Sequence, residues 1–89
     1  GPRFSVLRVY PNPSEGDALS IEVTGLKDQP SVPVQIYNTQ GQKVYENVFE
    51  VMTPGTLKVD LDLGGPLKQG LYIIKAGQTL QLTQKIIVD

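Results

Sequence analysis

The sequence predicts an all-β protein, an immunoglobulin-like antiparallel β-sandwich of about seven strands. Apolar and polar residues alternate with a period of two in seven short runs of the 89-residue chain, and this alternation is typical of half-buried strands. Turn residues separate the runs, and none of them has the three-and-four spacing of a helix. Without cysteine or tryptophan, such a sandwich lacks the Cys–Trp–Cys core of antibody domains. A small barrel is the competing all-β architecture, and the sequence leaves it open.

Four strands are predicted in the first half of the chain. Their sequences are FSVLRVY, LSIEV, VPVQIYN and QKVYENVFEV, at residues 4–10, 19–23, 32–38 and 42–51. The first and fourth have apolar residues on both faces, so the sequence does not decide which face of each is buried. In the second and third, alternation directs one apolar set inward: Leu19, Ile21, Val23, Val32, Val34 and Ile36. Pro33 has no amide hydrogen and is expected at the start of its strand, at an edge or at a bulge.

Three strands are predicted in the second half, with the sequences TLKVDLDL, GLYIIKA and LQLTQKIIV at residues 56–63, 70–76 and 80–88. The first has the clearest alternation in the chain, and it directs Lys58, Asp60 and Asp62 to solvent. Lys75 and Lys85 are expected on the outer faces of the other two. The residues predicted to point inward are Leu57, Val59, Leu61, Leu63, Tyr72, Ile74, Ala76, Leu80, Leu82, Ile86 and Val88.

Composition argues against several classes of function. The chain has no cysteine and no histidine, which removes disulfides, zinc sites built from those ligands and histidine-based triads. A net charge of −1 with interspersed signs argues against nucleic acid or an anionic membrane as partner. Asp60 and Asp62 lack a DxDxDG loop, so they are expected to be solvated. We therefore expect no enzyme, no cofactor and no metal site.

The length predicts one domain, residues 4–89. Gly1 and Pro2 are typical of the scar that a tag-removing protease leaves, so residues 1–3 are expected to be a scar or linker. The chain is then expected to be a piece of a longer protein.

The stretch VYPNPSEG (9–16) ends the first predicted strand. Proline fixes its own φ and favours an extended preceding residue, here Tyr10 and Asn12. The side chains of Asn12 and Ser14 are expected to bond their own nearby backbone, and Gly16 supplies a conformation that other residues resist. The stretch predicts a stiff exit that directs the chain toward the second strand.

Five stretches, in this order and at this spacing, resemble one family: VYPNPSEG, VQIYNTQGQKVY, DLDL, LKQGLYIIK and QKIIV. The sequence resembles the C-terminal sorting domain (type A) of cargo exported by the bacterial type IX secretion system, from Val9 to the last residue. The resemblance implies an immunoglobulin-like sandwich that follows a cargo domain and folds in the periplasm. It also implies recognition by the outer-membrane translocon and removal by a surface sortase-like cysteine protease. The cargo would then stay at the outer membrane surface or outside the cell.

The resemblance also implies site residues. The motifs with mainly structural roles fall on Tyr10, Pro11, Asn12, Pro13, Gly16, Gly41, Val44, Gly70 and Tyr72. Gly41 is expected in a hairpin turn with φ above zero, and Tyr72 in the core with its hydroxyl bonded. Recognition by the translocon is expected at Lys85, Ile86, Ile87, Val88 and Asp89, with Ile86 and Val88 inside the domain.

Other functions remain open at this point. An adhesive or carbohydrate-binding sandwich would present exposed aromatic side chains, for which Tyr37, Tyr45 and Phe49 are the candidates. A spacer domain would tolerate a position inside a longer chain, whereas a sorting signal must end it. Open sheet edges, including the strand that carries Pro33, invite a homodimer by strand exchange.

Overall fold

Seven β-strands pair into two antiparallel sheets in this protein, of which the computed structural model describes residues 4–27, 29–78 and 81–89. The strands are β1 (Val6–Tyr10), β2 (Leu19–Thr24), β3 (Ser31–Asn38), β4 (Lys43–Glu50), β5 (Thr56–Leu61), β6 (Gly70–Ala76) and β7 (Leu82–Val88). One sheet has the order β1-β2-β5 and the other β4-β3-β6-β7. The predicted immunoglobulin-like sandwich is confirmed, and the barrel alternative is wrong.

The core lies between the sheets and is built from alternate residues of the strands. Alternation predicted it because successive side chains of a strand point to opposite faces. The buried apolar side chains of the core are Leu7, Leu19, Ile21, Val23, Val32, Val34, Ile36, Leu57, Leu61, Tyr72, Ile74, Ala76, Ile86 and Val88. Val59, Leu63 and Leu82 pack against this core while half-buried. Leu80 and residues 1–3 lie outside the described residues. Within the described ranges, no helix is long and apolar enough to cross a membrane.

Strand pairing settles the two faces that the sequence left open. In β1, Leu7 lies opposite the buried Val23 of β2, so Leu7 and Val9 face the core. In β4, Phe49 lies opposite Val32 of β3 and packs half-buried against the core. In both strands the partner's register decides which apolar residues are buried.

Pro33 lies in a central strand, so the expectation of an open edge there is wrong. β3 pairs with β4 on one side and β6 on the other. The Pro33 carbonyl accepts a hydrogen bond of 3.0 Å from the Gly77 amide, just beyond the last β6 residue, Ala76. Since the nitrogen and carbonyl of a strand residue point the same way, the proline nitrogen faces the end of β6. The missing donor therefore removes no bond from the ladder.

Two neighbouring isoleucines of β6 test this division of faces. Ile74 is fully buried and Ile73 is 39% exposed on the outer face. Ile74→Ala is expected to lower the free energy of unfolding by about 2–5 kcal/mol, because it leaves a cavity in the core. Ile73→Ala should lower it by about 1 kcal/mol or less. Urea denaturation of the 89-residue chain measures both, and similar losses would contradict the assignment of faces.

Candidate functional site

The terminal strand β7 divides its residues between core and solvent as expected. Ile86 is fully buried and Val88 is 2% exposed, and both contribute to the core. Lys85, Ile87 and Asp89 are exposed, and Ile87 is 50% exposed. A partner could therefore touch the exposed three directly, whereas the buried two act by holding the strand in place.

The side chain of Asn12 binds the outer edge of β7. Its Nδ2 donates to the Lys85 carbonyl at 2.9 Å, and its Oδ1 accepts from the Ile87 amide at 3.1 Å. These are the two bonds that a backbone residue opposite Ile86 would make in a parallel ladder. The expectation that Asn12 bonds its own nearby backbone is wrong, because its partners are 73 and 75 residues away. No local feature of the sequence shows which strand lies beside this turn.

The backbone of Ser14 continues the same ladder. Its amide donates to the Ile87 carbonyl and its carbonyl accepts from the Asp89 amide, both at 2.8 Å. Together with Asn12, it occupies the outward backbone groups of β7 from Lys85 to Asp89. The Tyr10–Pro11 and Asn12–Pro13 peptide bonds of this turn are both cis.

Gly16 connects the same turn to the loop before β6. Its carbonyl accepts from the Leu67 amide at 2.8 Å, and its own amide donates to Ser14 Oγ at 2.9 Å, which is the local bond predicted for that serine. Gly16 has φ of 88°, and a Cβ there would lie 2.6 Å from the Leu67 carbonyl and 2.8 Å from Val88 Cγ1. Only glycine fits this conformation and this contact.

Gly70 and Tyr72 begin β6 beside the end of β7. Gly70 lies opposite Val88, and Tyr72 lies opposite Ile86. The Tyr72 ring is 7% exposed, and its hydroxyl donates to the Lys68 carbonyl at 2.6 Å. The predicted core tyrosine with a bonded hydroxyl is confirmed.

Gly41 and Val44 lie in the β3–β4 hairpin. Gly41 has the predicted positive φ, 81°, and its amide donates to the Asn38 carbonyl at 3.1 Å. Val44 is 38% exposed at a β-bulge, where the pairing of β3 with β4 shifts by one residue. Because Asn38 lies opposite Tyr72, this hairpin is at the same end of the sandwich as the other motifs.

All the predicted motif residues therefore gather at one end of the sandwich. We call this the motif end, and it consists of residues 10–16, 38–44, 64–72 and 85–89. Strand register explains the convergence: Asn38, Tyr72 and Ile86 are consecutive partners across three strands. The exposed charged side chains of the motif end are Glu15, Lys43, Lys68, Lys85 and Asp89. In the part of the chain that the structure describes, no group of three Asp or Glu residues could hold a metal ion.

The aromatic candidates for a carbohydrate site do not share one surface. Tyr45 and Phe49 pack half-buried against the core. Tyr37 lies on the outer face, where it is opposite Ile73. Sugar-binding platforms need exposed aromatic faces side by side, and these three side chains are divided between the two faces of the sheet.

Comparison with known protein families matches nearly the whole chain to one family. A family model described as "Secretion system C-terminal sorting domain" matches residues 8–89. No curated protein matches the chain. The match begins within β1 and includes every residue of the motif end.

The Asn12 contact is testable by substitution. Asn12→Ala removes two hydrogen bonds and is expected to lower the free energy of unfolding by about 1–3 kcal/mol. Asn12→Asp should cost at least as much, since it replaces the donor with a carboxylate facing the Lys85 carbonyl. Asn47→Ala, on exposed β4, is the control and should change stability by about 0.5 kcal/mol or less. Urea denaturation, with hydrogen exchange of the Ile87 amide, measures the effect; unchanged protection of that amide would contradict the contact.

Gly16 and Gly41 have similar φ angles. Comparing them separates the cost of a steric clash from the cost of the backbone conformation. Gly41→Ala adds a Cβ that meets nothing within 4 Å, so it should cost only the conformational term of about 1–2 kcal/mol. Gly16→Ala meets Leu67 and Val88 as well and should cost about 1–3 kcal/mol more. Thermal and urea unfolding compare the two variants. Equal losses would show that the turn does not pack tightly against β7.

Proposed function

The chain belongs to the family of type IX secretion C-terminal sorting domains, and we propose that the outer-membrane translocon recognises it as a folded surface centred on the β6–β7 hairpin. The residues that we assign to recognition are Lys85, Ile86, Ile87, Val88 and Asp89. In this proposal Lys85, Ile87 and Asp89 contact the translocon, and Ile86 and Val88 hold the strand in the core.

The observation that supports this proposal is the closed edge of β7. A linear signal that a receptor reads by strand addition would need its backbone groups free for pairing. Here the outward groups from Lys85 to Asp89 already bond Asn12 and Ser14. One face of the strand is in the core, so only the outer face is left for recognition. The turn at residues 11–16 covers the edge of the strand and leaves that face exposed.

The family motifs support the same surface in this proposal. Tyr10, Pro11, Asn12, Pro13 and Gly16 form the turn that closes the β7 edge. Gly70 and Tyr72 fix the start of the partner strand, and Gly41 with Val44 shapes the neighbouring hairpin. Their role is structural, and they contribute to sorting by presenting the terminal strand.

The later steps rest on the family resemblance. We propose that the domain follows an N-terminal cargo domain and crosses the periplasm with it. After export, a sortase-like cysteine protease removes the domain, and the cargo stays attached to the cell surface. In this proposal the domain is a sorting signal without catalytic activity.

Dimerisation by strand exchange is restricted by the same geometry. The terminal half of the β7 edge is occupied by Asn12 and Ser14. We therefore place any pairing of two copies at β1, β4 or β5, which are the other edge strands of the two sheets.

A pair of matched substitutions distinguishes a folded surface from a linear signal. Val34→Asp puts a charge into the fully buried core and should unfold the domain while leaving residues 85–89 unchanged. Val6→Asp, at a valine 42% exposed on the other sheet, is the control. A reporter fused to the 89-residue chain is followed in a bacterium with a type IX system. Val34→Asp should retain the reporter inside the cell, and Val6→Asp should be exported like the parent; export of unfolded Val34→Asp would refute a folded signal.

A further inference from the structure

Three exposed apolar side chains form one patch on the outer face of β6 and β7. Leu71 and Ile87 lie directly opposite each other, and Ile73 follows Leu71 on the same face of β6. They are 41%, 50% and 39% exposed. The solvent face of an antiparallel sheet is ordinarily polar, so a contiguous apolar strip on this face indicates a contact with another molecule.

A shallow groove extends this patch toward the β3–β4 hairpin. Tyr37 lies opposite Ile73 on the neighbouring strand. Together with Asn38, Gly41 and Lys75, these two residues line a groove of about 500 Å³. The groove places the hairpin of the motif end beside the apolar strip.

Two lysines without carboxylate partners flank the strip. Lys85 lies opposite Ile73 on β7, and the Lys75 ammonium is 5.1 Å from the centre of the Tyr37 ring. Elsewhere on this sheet, Lys43 is paired with Glu46 at 2.9 Å. That pair is the one salt bridge among the described residues, so neither Lys75 nor Lys85 forms a salt bridge with another described residue. The β6–β7 face thus combines an apolar centre with uncompensated positive charge.

We propose that this face, made of Leu71, Ile73, Lys75, Lys85 and Ile87, docks onto an apolar protein surface rimmed by carboxylates. The inference rests on the proposed function and names the chemistry of the translocon surface that receives the domain. We infer this partner from charge complementarity, because its carboxylates would pair with both lysines while the apolar residues are buried.

A second copy of the chain is a poorer occupant of the same face. A two-fold dimer through it would bring four lysines into one interface against the two Asp89 side chains that follow β7, so like charges would predominate. An anionic membrane surface is also poorer, because two lysines are a weak basic patch on a chain of net charge −1. An acidic, apolar protein surface fits the charge and the exposed side chains together.

The experiment uses a reporter fused to the 89-residue chain, with the exported fraction measured against the periplasmic fraction. The double variant Lys75→Glu/Lys85→Glu is expected to lower export about tenfold or more, whereas Lys75→Arg/Lys85→Arg should export like the parent. Ile73→Ser/Ile87→Ser should also lower export. Lys27→Glu, an exposed lysine at the other end, and Val6→Ser, on the other sheet, are the matched controls and should have no effect. Thermal unfolding of each variant shows that the domain is folded.

The outcomes separate this inference from the proposed function. If the parent fusion is not exported, the proposed function fails and the docking face fails with it. If the parent is exported and the folded glutamate variant is exported equally well, the docking face alone is refuted. If the arginine variant lost export to the same extent as the glutamate variant, the carboxylate rim of the partner surface would be refuted.

Photo-crosslinking identifies the class of partner. A photoreactive amino acid at position 87 should give an adduct with an envelope protein during export, and the same group at position 6 should not. An adduct of two copies of the fusion, or an adduct with lipid, would overturn the assignment of a protein partner to this face.

Discussion

One contact closes the outer edge of the terminal strand: the Asn12 side chain pairs with the backbone of β7. The amide supplies a donor and an acceptor 73 and 75 residues from its partners in the sequence. Pro11 and Pro13 on either side have no amide hydrogens to donate, and both bonds to β7 come from the Asn12 side chain. Ser14 then continues the ladder with its own backbone. The two ends of the chain are thereby joined in a defined register.

This contact determines which part of the terminal strand is available to other molecules. A strand has two edges and two faces, and one edge, one face and the terminal half of the other edge are used inside the domain. β6 takes one edge, Asn12 and Ser14 take the terminal half of the other, and Ile86 and Val88 fill the core. The outer face is what remains. Closing the edge also removes a site at which a foreign strand could pair with β7.

The sequence predicted the strands and most of the core because alternation is local: each inward residue is two positions from the next. It could not assign the faces of β1 and β4, since both carry apolar residues on each side and the register of the neighbouring strand decides. Of the places it allowed for Pro33, the open edge is wrong, because the end of β6, which makes a proline acceptable in a central strand, is not visible locally. It found the motif residues by resemblance, but not their convergence, which depends on pairings such as Ser14 with Val88.

The composition of the outer face follows from the same division. Leu71, Ile73 and Ile87 add little to the core, and burying them against another molecule would release water from apolar surface. An apolar face alone would invite association with any hydrophobic surface, including another copy. Lys75 and Lys85 oppose that, because like charges meet when two such faces approach. The same charges favour a partner with carboxylates, so the two lysines restrict the face to one kind of surface while the apolar strip supplies the affinity.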